Sequence, residues 1–448
     1  MTSKPQMQPA PNRLASTASC SVEVVRTVED LDQLGDEWEA LVLTSNSSVY
    51  QTFSWQRTWW KHHGMNRDLR CLVFRMGGEL VGIAPLYAAR ESIFGITFAW
   101  RIHFIGNGLS DYLDIIVRPG YETVVCKEFA RYLTATRAEW DIVDIEDANE
   151  KSTFSKFVAP SLREQEIVVY SFQGNVCPFV ELPTSWDSMV SHLGPNTRYN
   201  IKRKSRKLDD YYDFEIEAYR SEEDNLVRGM EGFFQVHGAR WNSLGFPSAF
   251  DDPSHRMFHH EIAQQFAQRG WLTLLFLKVD GLRVAAFLGF SFKSRLYMYQ
   301  CNAFGPTEIM KQSPGLLLRS IAIKRGIAEG MKVFDFLRGD EMYKYLEWKS
   351  STSRNWLFRC TRNSLGARAR LLLFILIEFQ KKAMERTRRE FYSFRRFRST
   401  GHRSVGQQTQ YILSRGMAVL HIGRHYLGRH YLRSQSPATT PSAKTQST

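Results

Sequence analysis

Apolar residues recur at Leu31, Leu34, Trp38, Leu41 and Val42, the spacing of one helical face, so residues 28–45 are expected to be helical. FSWQRTWWKHHG predicts a second, aromatic helix ending at Gly64, read as a C′ glycine. The pattern then changes to period two. LRCLVFRMGGELVGIAPLY carries two β-rich runs around Gly77-Gly78 and predicts a hairpin. Further strands are expected at 93–98, 101–105 and 112–117, a helix at 121–137 and a strand at 140–147.

The same order returns later. Residues 229–245 read as an aromatic helix ending at glycine. Residues 272–290 read as a hairpin turning at Asp280-Gly281, 294–304 as a strand, 314–330 as a helix, and 331 onward as a strand. The two hairpins align without a gap at an offset of 203: Leu72-Val73-Phe74-Arg75 falls on Leu275-Phe276-Leu277-Lys278, and Gly78 on Gly281. Trp60-x-x-x-Gly64 likewise echoes Trp241-x-x-x-Gly245. Matching features in one order predict an internal duplication, hence two α/β domains of one fold. The helix between strands 294–304 and 331–337 predicts a parallel, right-handed crossover in an otherwise antiparallel sheet.

Charge is uneven. The 448 residues carry a net +13, but the stretch from Arg359 to the end holds 18 Lys+Arg against 3 Asp+Glu, and the rest is nearly neutral. The excess marks a basic extension, 359–433, suited to an anionic surface such as a membrane. Within it, 368–398 reads as one long amphipathic helix. Residues 1–20 and 434–448 read as disordered, and the N-terminus lacks the apolar core of a secretory signal. The longest apolar run, Leu371–Ile377, is too short to cross a bilayer of about 30 Å. The six cysteines form no CxxC pair, so no metal site is expected and a reduced cytoplasmic setting fits, at most peripheral to the inner face of the membrane.

Five stretches can carry chemistry. In Lys311-Gln312-Ser313-Pro314-Gly315, Ser313 is a good N-cap and Pro314 a good first helical residue. The freed amides and Lys311 would suit a phosphate, or the stretch is an ordinary capped helix. Asp335 through Lys344 sets Arg338, Asp340, Glu341 and Tyr343 in one loop after a strand, able to supply a base, a proton donor and a charge clamp, or to be a solvated turn. His237, Arg240 and Trp241 share a helix face that could hold an acidic group, with Trp241 equally suited to packing. Arg198–Lys207 has six basic residues in ten, fit for phosphates of a cofactor or RNA, or for a solvated face. In Ser110-Asp111-Tyr112-Leu113-Asp114 the two acids could meet a cationic substrate or cap a loop. Walker, Rossmann, GxSxG and HExxH motifs are absent.

Taken together, HGARW (237–241), YMYQCNAF (297–304), KQSPGLLL (311–318) and FDFLRGDEMYK (334–344) resemble the signature blocks of a GNAT-superfamily acyltransferase branch. It is the branch of the CelD-type proteins of cellulose-biosynthesis clusters, related to the FemA/FemB aminoacyltransferases. The resemblance covers about residues 22–350. It implies tandem GNAT-like domains, at 21–175 and 176–358, and an N-acyltransferase acting in polysaccharide or envelope synthesis. The donor would be acetyl-CoA or another acyl-CoA or acyl-carrier thioester, and the acceptor a small amine or sugar-amine. Gln312 and Gly315 match the first and fourth positions of the GNAT pyrophosphate loop, while Leu317 replaces its last glycine. On this reading Lys311, Gln312, Ser313, Gly315, Leu316 and Tyr299 hold the donor. Asp335, Asp340 or Glu341 handles the proton, catalytic Tyr343 sits near the leaving thiol or substrate, and His237, Arg240, Trp241, Arg338 and Lys344 hold the acceptor. Two alternatives remain: a non-catalytic accessory protein docked at a membrane, and a tRNA-dependent aminoacyltransferase.

Overall fold

The computed structural model describes residues 19–220 and 225–399, with only the backbone of 389–399; the expected disordered segments, residues 19 and 20 apart, lie outside it. The N-terminal half runs β1 (Cys20–Val25), α1 (Val28–Gln33), α2 (Gly35–Thr44), α3 (Phe53–His63), β2 (Asp68–Leu69), β3 (Cys71–Met76), β4 (Glu79–Ala84), β5 (Leu86–Ile93), β6 (Ile96–Phe104), β7 (Ile116–Val117), α4 (Glu122–Ala135) and β8 (Ile142–Asn149). There follow α5 (Ala159–Glu164), β9 (Val168–Glu181), α6 (Trp186–His192), α7 (Pro195–Tyr211), β10 (Phe214–Tyr219), α8 (Leu226–Ser243) and α9 (Pro253–Gln268). The chain continues through β11 (Leu272–Val279), β12 (Leu282–Phe292), β13 (Arg295–Ala303), α10 (Thr307–Met310), α11 (Pro314–Ala328), β14 (Val333–Asp335), α12 (Met342–Trp348), β15 (Ser351–Thr361) and α13 (Leu365–Ser399).

The duplication is visible in the topology. A four-stranded sheet orders β1-β3-β4-β7, and one end of an eleven-stranded sheet repeats it as β10-β11-β12-β13. Helix α4 leads from β7 to β8 as α11 leads from β13 to β14. Both hairpins slip register, between Phe74 and Arg75 in the first and between Leu277 and Lys278 in the second, positions separated by the same 203 residues. β13 and β14 are parallel, as the crossover predicts.

Two expectations fail for local reasons, and the expected domain boundaries fall within strands. Phe94 and Gly95 both take positive φ, so residues 93–98 straddle the turn of one β5–β6 hairpin. Gly64 has φ −75° and is no left-handed cap; glycine is needed because a Cβ would sit 2.4 Å from the Trp60 carbonyl oxygen. The boundary at 175/176 falls inside β9, which pairs with β14 and β15, and that at 358/359 falls inside β15.

Sheet order β14-β9-β15-β8-β6 carries the two halves into one another. A buried ion cluster pins that join: Asp144 accepts from Arg101 at 2.9 Å and from Arg359 at 3.2 Å. Burial works against the Asp144 carboxylate, but the two guanidinium groups outweigh it and hold its pKa below the usual range. Arg359 is therefore a core residue, and the basic extension starts after β15. Strand β11 is apolar on both faces: Leu274 and Phe276 pack with α8, α9 and the N-terminal half, while Leu275 and Leu277 pack with α11.

Candidate active site

β13 and β14 pair only from Arg295↔Val333 to Tyr297↔Asp335. Beyond that point the chain after β14 turns to β9, with Phe336 N–H donating to the Pro178 carbonyl and Gly339 N–H to that of Val176. The far end of β13 is left with β12 alone as strand partner among the described residues. A wedge-shaped throat results, walled on one side by those backbone amides of Met298–Ala303 that do not face β12. Opposite β12, Leu288 faces Gln300 and Gly289 faces Met298, so Tyr299 is the extra residue of a bulge. Gly289 permits it, since a Cβ there would lie 2.7 Å from the Tyr297 carbonyl oxygen.

On the face bearing α8 and α9, three strand irregularities turn side chains toward this throat. Tyr299 comes from β13. Asp147 comes from β8, where it has φ 53° and the register with β15 slips. Asn355 comes from β15, where the register with β9 slips. The loop before β7 adds Asp111 and Tyr112; it is held by the Trp55 indole N–H donating to Ser110 Oγ at 2.8 Å. Tyr112, Asp147, Ser313 and Leu337 are all non-glycine residues at positive φ, a concentration of strain around one place.

Arg338 is the hub. It donates to Asp147 and, at 3.1 Å, to the Gly108 carbonyl, and its Nε lies 3.7 Å from Asp111 Oδ1. Asn355 Nδ2 stands 3.5 Å from Asp111. Burial works against the Arg338 charge, but Asp111 and Asp147 outweigh it and raise its pKa. Asp111 moves the other way from an ordinary ion-pair partner. Burial pushes its pKa up to about 7, against the pull of Arg338. The two directions are reconciled by distance, because Arg338 spends its short contact on Asp147 and leaves Asp111 the long one. A carboxyl poised near neutrality in a buried cluster has the character of a general base. Beside it, the Tyr50 hydroxyl and Asn355 Oδ1 are buried without a hydrogen-bond partner. Tyr299 Oη contacts His259 Nε2 at 3.0 Å, while His259 Nδ1 lies 2.6 Å from the His255 carbonyl. Burial lowers the His259 pKa to about 3. The neutral ring then carries its proton on Nδ1 and accepts at Nε2, so the single Tyr299 hydroxyl proton is shared between His259 Nε2 and the Leu109 carbonyl at 3.3 Å.

The residues expected at the site divide. Asp335 is buried at the end of β14, accepting from Arg295 at 2.7 Å and from Tyr112 at 3.0 Å. Burial raises its pKa and Arg295 opposes that. Asp340 and Glu341 are exposed and engaged locally, by the Tyr345 hydroxyl and Lys344. Lys344 is not a free acceptor-binding amine: it is buried, and its Nζ donates to the carbonyls of Phe336, Arg338 and Gly339, fixing the loop. Tyr343 lies on the opposite face, its ring 4.3 Å from the Arg319 guanidinium, and Arg319 also pairs with Glu347 at 2.9 Å. His237 is buried against Ser248 and Phe250, with its pKa lowered to about 4 by burial, and Phe250 and His259 separate it from Tyr299. Arg240 and Trp241 are exposed at the end of α8.

At the other mouth of the throat, Ser313 starts α11 but does not cap it with its side chain. Pro314 disfavours the helical region for the preceding residue, and Ser313 takes φ 53°, ψ 58°. Its hydroxyl instead receives the Lys204 amine from α7. Lys311 is exposed and paired with Glu308 at 2.6 Å, so Lys204 is the amine at this helix start. Gln312 Nε2 stands 3.4 Å from the Glu308 carbonyl. Gly315 has room, a Cβ meeting nothing nearer than Arg319 at 3.5 Å, and the buried Leu316 anchors the first turn. Arg319 links that turn to Tyr343 and Glu347, so the α11 entrance and the loop after β14 are neighbours.

For the acids Asp111 and Asp114 the sequence offers a cationic substrate or a loop cap; Asp114 caps a loop, accepting the backbone N–H groups of Thr153 and Phe154, while Asp111 stands beside Arg338. Tyr50, Asp147, Arg295 and Asn355 carried no local signal. They belong to strands and turns joined only by the tertiary fold. Among the described residues, no group of three or more His, Cys, Asp or Glu could hold a metal ion, and no helix is long and apolar enough to cross a membrane.

Residues 195–345 match the family model of the acetyltransferase (GNAT) domain. Among solved structures the chain is similar to FemX, with a TM-score of 0.54 at 11% identity over 72% of this chain and 95% of that one. It is also similar to a tandem GNAT protein from the clavulanic acid biosynthesis pathway, with a TM-score of 0.44 at 10% identity over 76% and 98%. L-PGS from Bacillus licheniformis gives 0.44 at 13% identity over 76% and 96%. No curated protein sequence matches the chain. The likeness to FemX is one of fold. With the match over 195–345, the chain is an acyltransferase that carries a GNAT acetyltransferase domain in a mixed α/β architecture.

Proposed function

We propose that the chain moves an acyl group, acetyl in the simplest case, from acetyl-CoA or another acyl thioester to an amine acceptor, as a CelD-type N-acyltransferase of polysaccharide or cell-envelope synthesis. The observation that carries this reading is the parting of β13 from β14 after Tyr297 and Asp335, with a helix start at one mouth and the Asp111 cluster at the other. The donor phosphates would lie on the first-turn amides of α11, near Lys204 and Gly315. Its thioester would enter along β13, whose unpaired amides can receive the oxyanion.

The acceptor nitrogen attacks the thioester carbonyl, the C–N bond forms and the C–S bond breaks. The nitrogen's surplus proton goes to Asp111, and the thiolate takes a proton from water. Arg338 and Asn355 are positioning residues for Asp111. Asp340 and Glu341, exposed and already engaged, are secondary candidates for proton transfer. The basic side chains at the start of α13 suit a peripheral contact with an anionic membrane. The exposed Arg198, Lys202, Arg206 and Lys207 of α7 are the feature that keeps a tRNA-borne donor as the alternative.

The test is thiol release from acetyl-CoA and longer acyl-CoA esters against a panel of amines and amino sugars, in wild type and Asp111→Asn. Amine-dependent release that Asp111→Asn abolishes is the expected result. Neither release nor binding with any thioester would remove the thioester reading, and donor competition by charged tRNA would favour the alternative.

A further inference from the structure

A cavity of about 240 Å³ opens between the N-terminal half and the paired part of β13 and β14, with Tyr112, the residue after Asp111, in its wall. It is lined by Asp335, Tyr112, Asp114 and Arg295, among others. Its chemistry follows from which groups are already committed. The Asp335 carboxylate is taken by Arg295 and Tyr112, and that of Asp114 by backbone N–H groups. No carboxylate is left to hold a cationic chain. The remaining wall is polar, with Asn46, Ser47, Gln51 and Asn149 and one cation, the exposed Lys151, and it is faced by the rings of Tyr297 and Phe179. Ser47 already pairs with Ser45, Gln51 with Ser48 and the Asp114 carbonyl, and Asn149 with Ser353 and the Lys151 N–H, so each offers only its second N–H or remaining lone pair; set against ring faces, these match alternating hydroxyls and C–H faces of a sugar. The volume is below the roughly 300–1,000 Å³ of pockets for drug-sized ligands, and suits a single ring.

The cavity also adjoins the proposed reaction centre. Tyr112 follows Asp111 in the chain, and the unpartnered Tyr50 hydroxyl is close enough to both Asp111 and Asp335 that each raises its pKa. We infer that this cavity seats the sugar ring of a hexosamine acceptor, its hydroxyls toward Ser47 and Gln51 and its amino group toward Asp111. The fate of the amino group rests on the acyltransferase reading above; the sugar site itself does not.

The experiment is titration of the full chain by ligand-observed NMR and calorimetry with D-glucosamine, D-glucose and 1,5-diaminopentane. Saturable binding of both sugars, without binding of the diamine, is expected. Asn46 is exposed at the rim, so Asn46→Trp narrows the cavity without entering the core; it should weaken sugar binding at least tenfold with an unchanged melting temperature. Ser353→Phe, from the opposite wall, gives the same expectation should Asn46→Trp disturb the fold. Absence of saturable sugar binding, sugar binding indifferent to a folded cavity variant, or a diamine bound as well as the sugars would each overturn the proposal. If sugars bind and the variants block them while no acyl thioester is ever consumed, the sugar site stands and the transfer reading falls. If other amines release thiol but no sugar binds, the transfer reading stands and the sugar site falls.

Discussion

Replacing Asp111 with Asn removes one titratable proton from the throat and keeps the size of the side chain. Two consequences follow from the same buried environment. At about 1.4 kcal/mol per pKa unit, holding this carboxyl near 7 instead of its ordinary 3.8 corresponds to about 4 kcal/mol at most. The sign is set by proton binding. Between pH 4 and 7 the folded chain binds more protons at Asp111 than the unfolded chain does, so this group's contribution to stability falls as pH rises. Asn carries no such dependence. The stability gap between Asp111→Asn and wild type should therefore shift in favour of the mutant by up to about 4 kcal/mol from pH 4 to pH 8. Urea unfolding across that range measures it. The same protonation governs catalysis with the opposite outcome, because only the ionised carboxylate can accept the proton of the amine. Wild-type kcat/KM should fall below a midpoint near pH 7, and Asp111→Asn should lose about 10²–10⁴-fold together with that limb. A mutant that keeps the limb, or a stability gap that does not move with pH, would refute the assignment of Asp111 as a buried, neutral-range base.

Three further outcomes are expected. Lys293, at the β12–β13 turn, donates to the carbonyls of Val42, Ser45 and Ser47; Lys293→Met should cost about 1–3 kcal/mol in thermal unfolding and weaken sugar binding by loosening the cavity wall. Arg359→Leu leaves Asp144 in the core with Arg101 alone, and should destabilise by about 3–5 kcal/mol in urea unfolding. In cosedimentation the chain should prefer anionic over neutral vesicles and lose that preference in high salt, and Leu372→Glu with Leu376→Glu should reduce binding, since both leucines are half exposed on α13.

Local signals made much of the fold legible. The Gly77-Gly78 and Asp280-Gly281 turns, the alternation around them and the helix between two strands were enough for both hairpins and the parallel crossover. They could not reveal that β9 runs between β14 and β15, because strand pairing across long sequence separation leaves no mark on a single strand. The candidate site suffered for that reason. That Ser313, Gly315, Tyr299 and Asp335 share one strand–helix–strand unit is legible from the order of elements along the chain. Lys204 stood in a basic run with no hint that one of its amines reaches Ser313. Lys344 and Lys311 looked available because sequence shows charge but not the carbonyls or carboxylate that already occupy it.

The duplicated halves end in unequal roles, and one insertion explains why. In the second half, β13 and β14 pair and then part, which creates the throat. Their counterparts in the first half, β7 and β8, never meet: the β5–β6 hairpin intervenes, β6 takes the parallel place beside β8, and β7 closes a separate sheet. The first half therefore has no wedge between those strands. The insertion leaves the loop between β6 and β7 to cross toward the other half, where it delivers Asp111 and Tyr112. It also frees β8 to pair with β15, from which Asp147 and Asn355 meet at Arg338. Neither half then holds the whole reaction centre. On the function proposed above, the second would supply the thioester path, and the first the base and most of the acceptor wall. That division requires the halves to be locked together, a role met by the Asp144 ion cluster, the shared central strands and Lys293. It follows that Lys293→Met, which touches neither Asp111 nor the α11 entrance, should raise KM for the acceptor while leaving KM for the donor unchanged; equal effects on both would mean that the two substrates are not held by different halves.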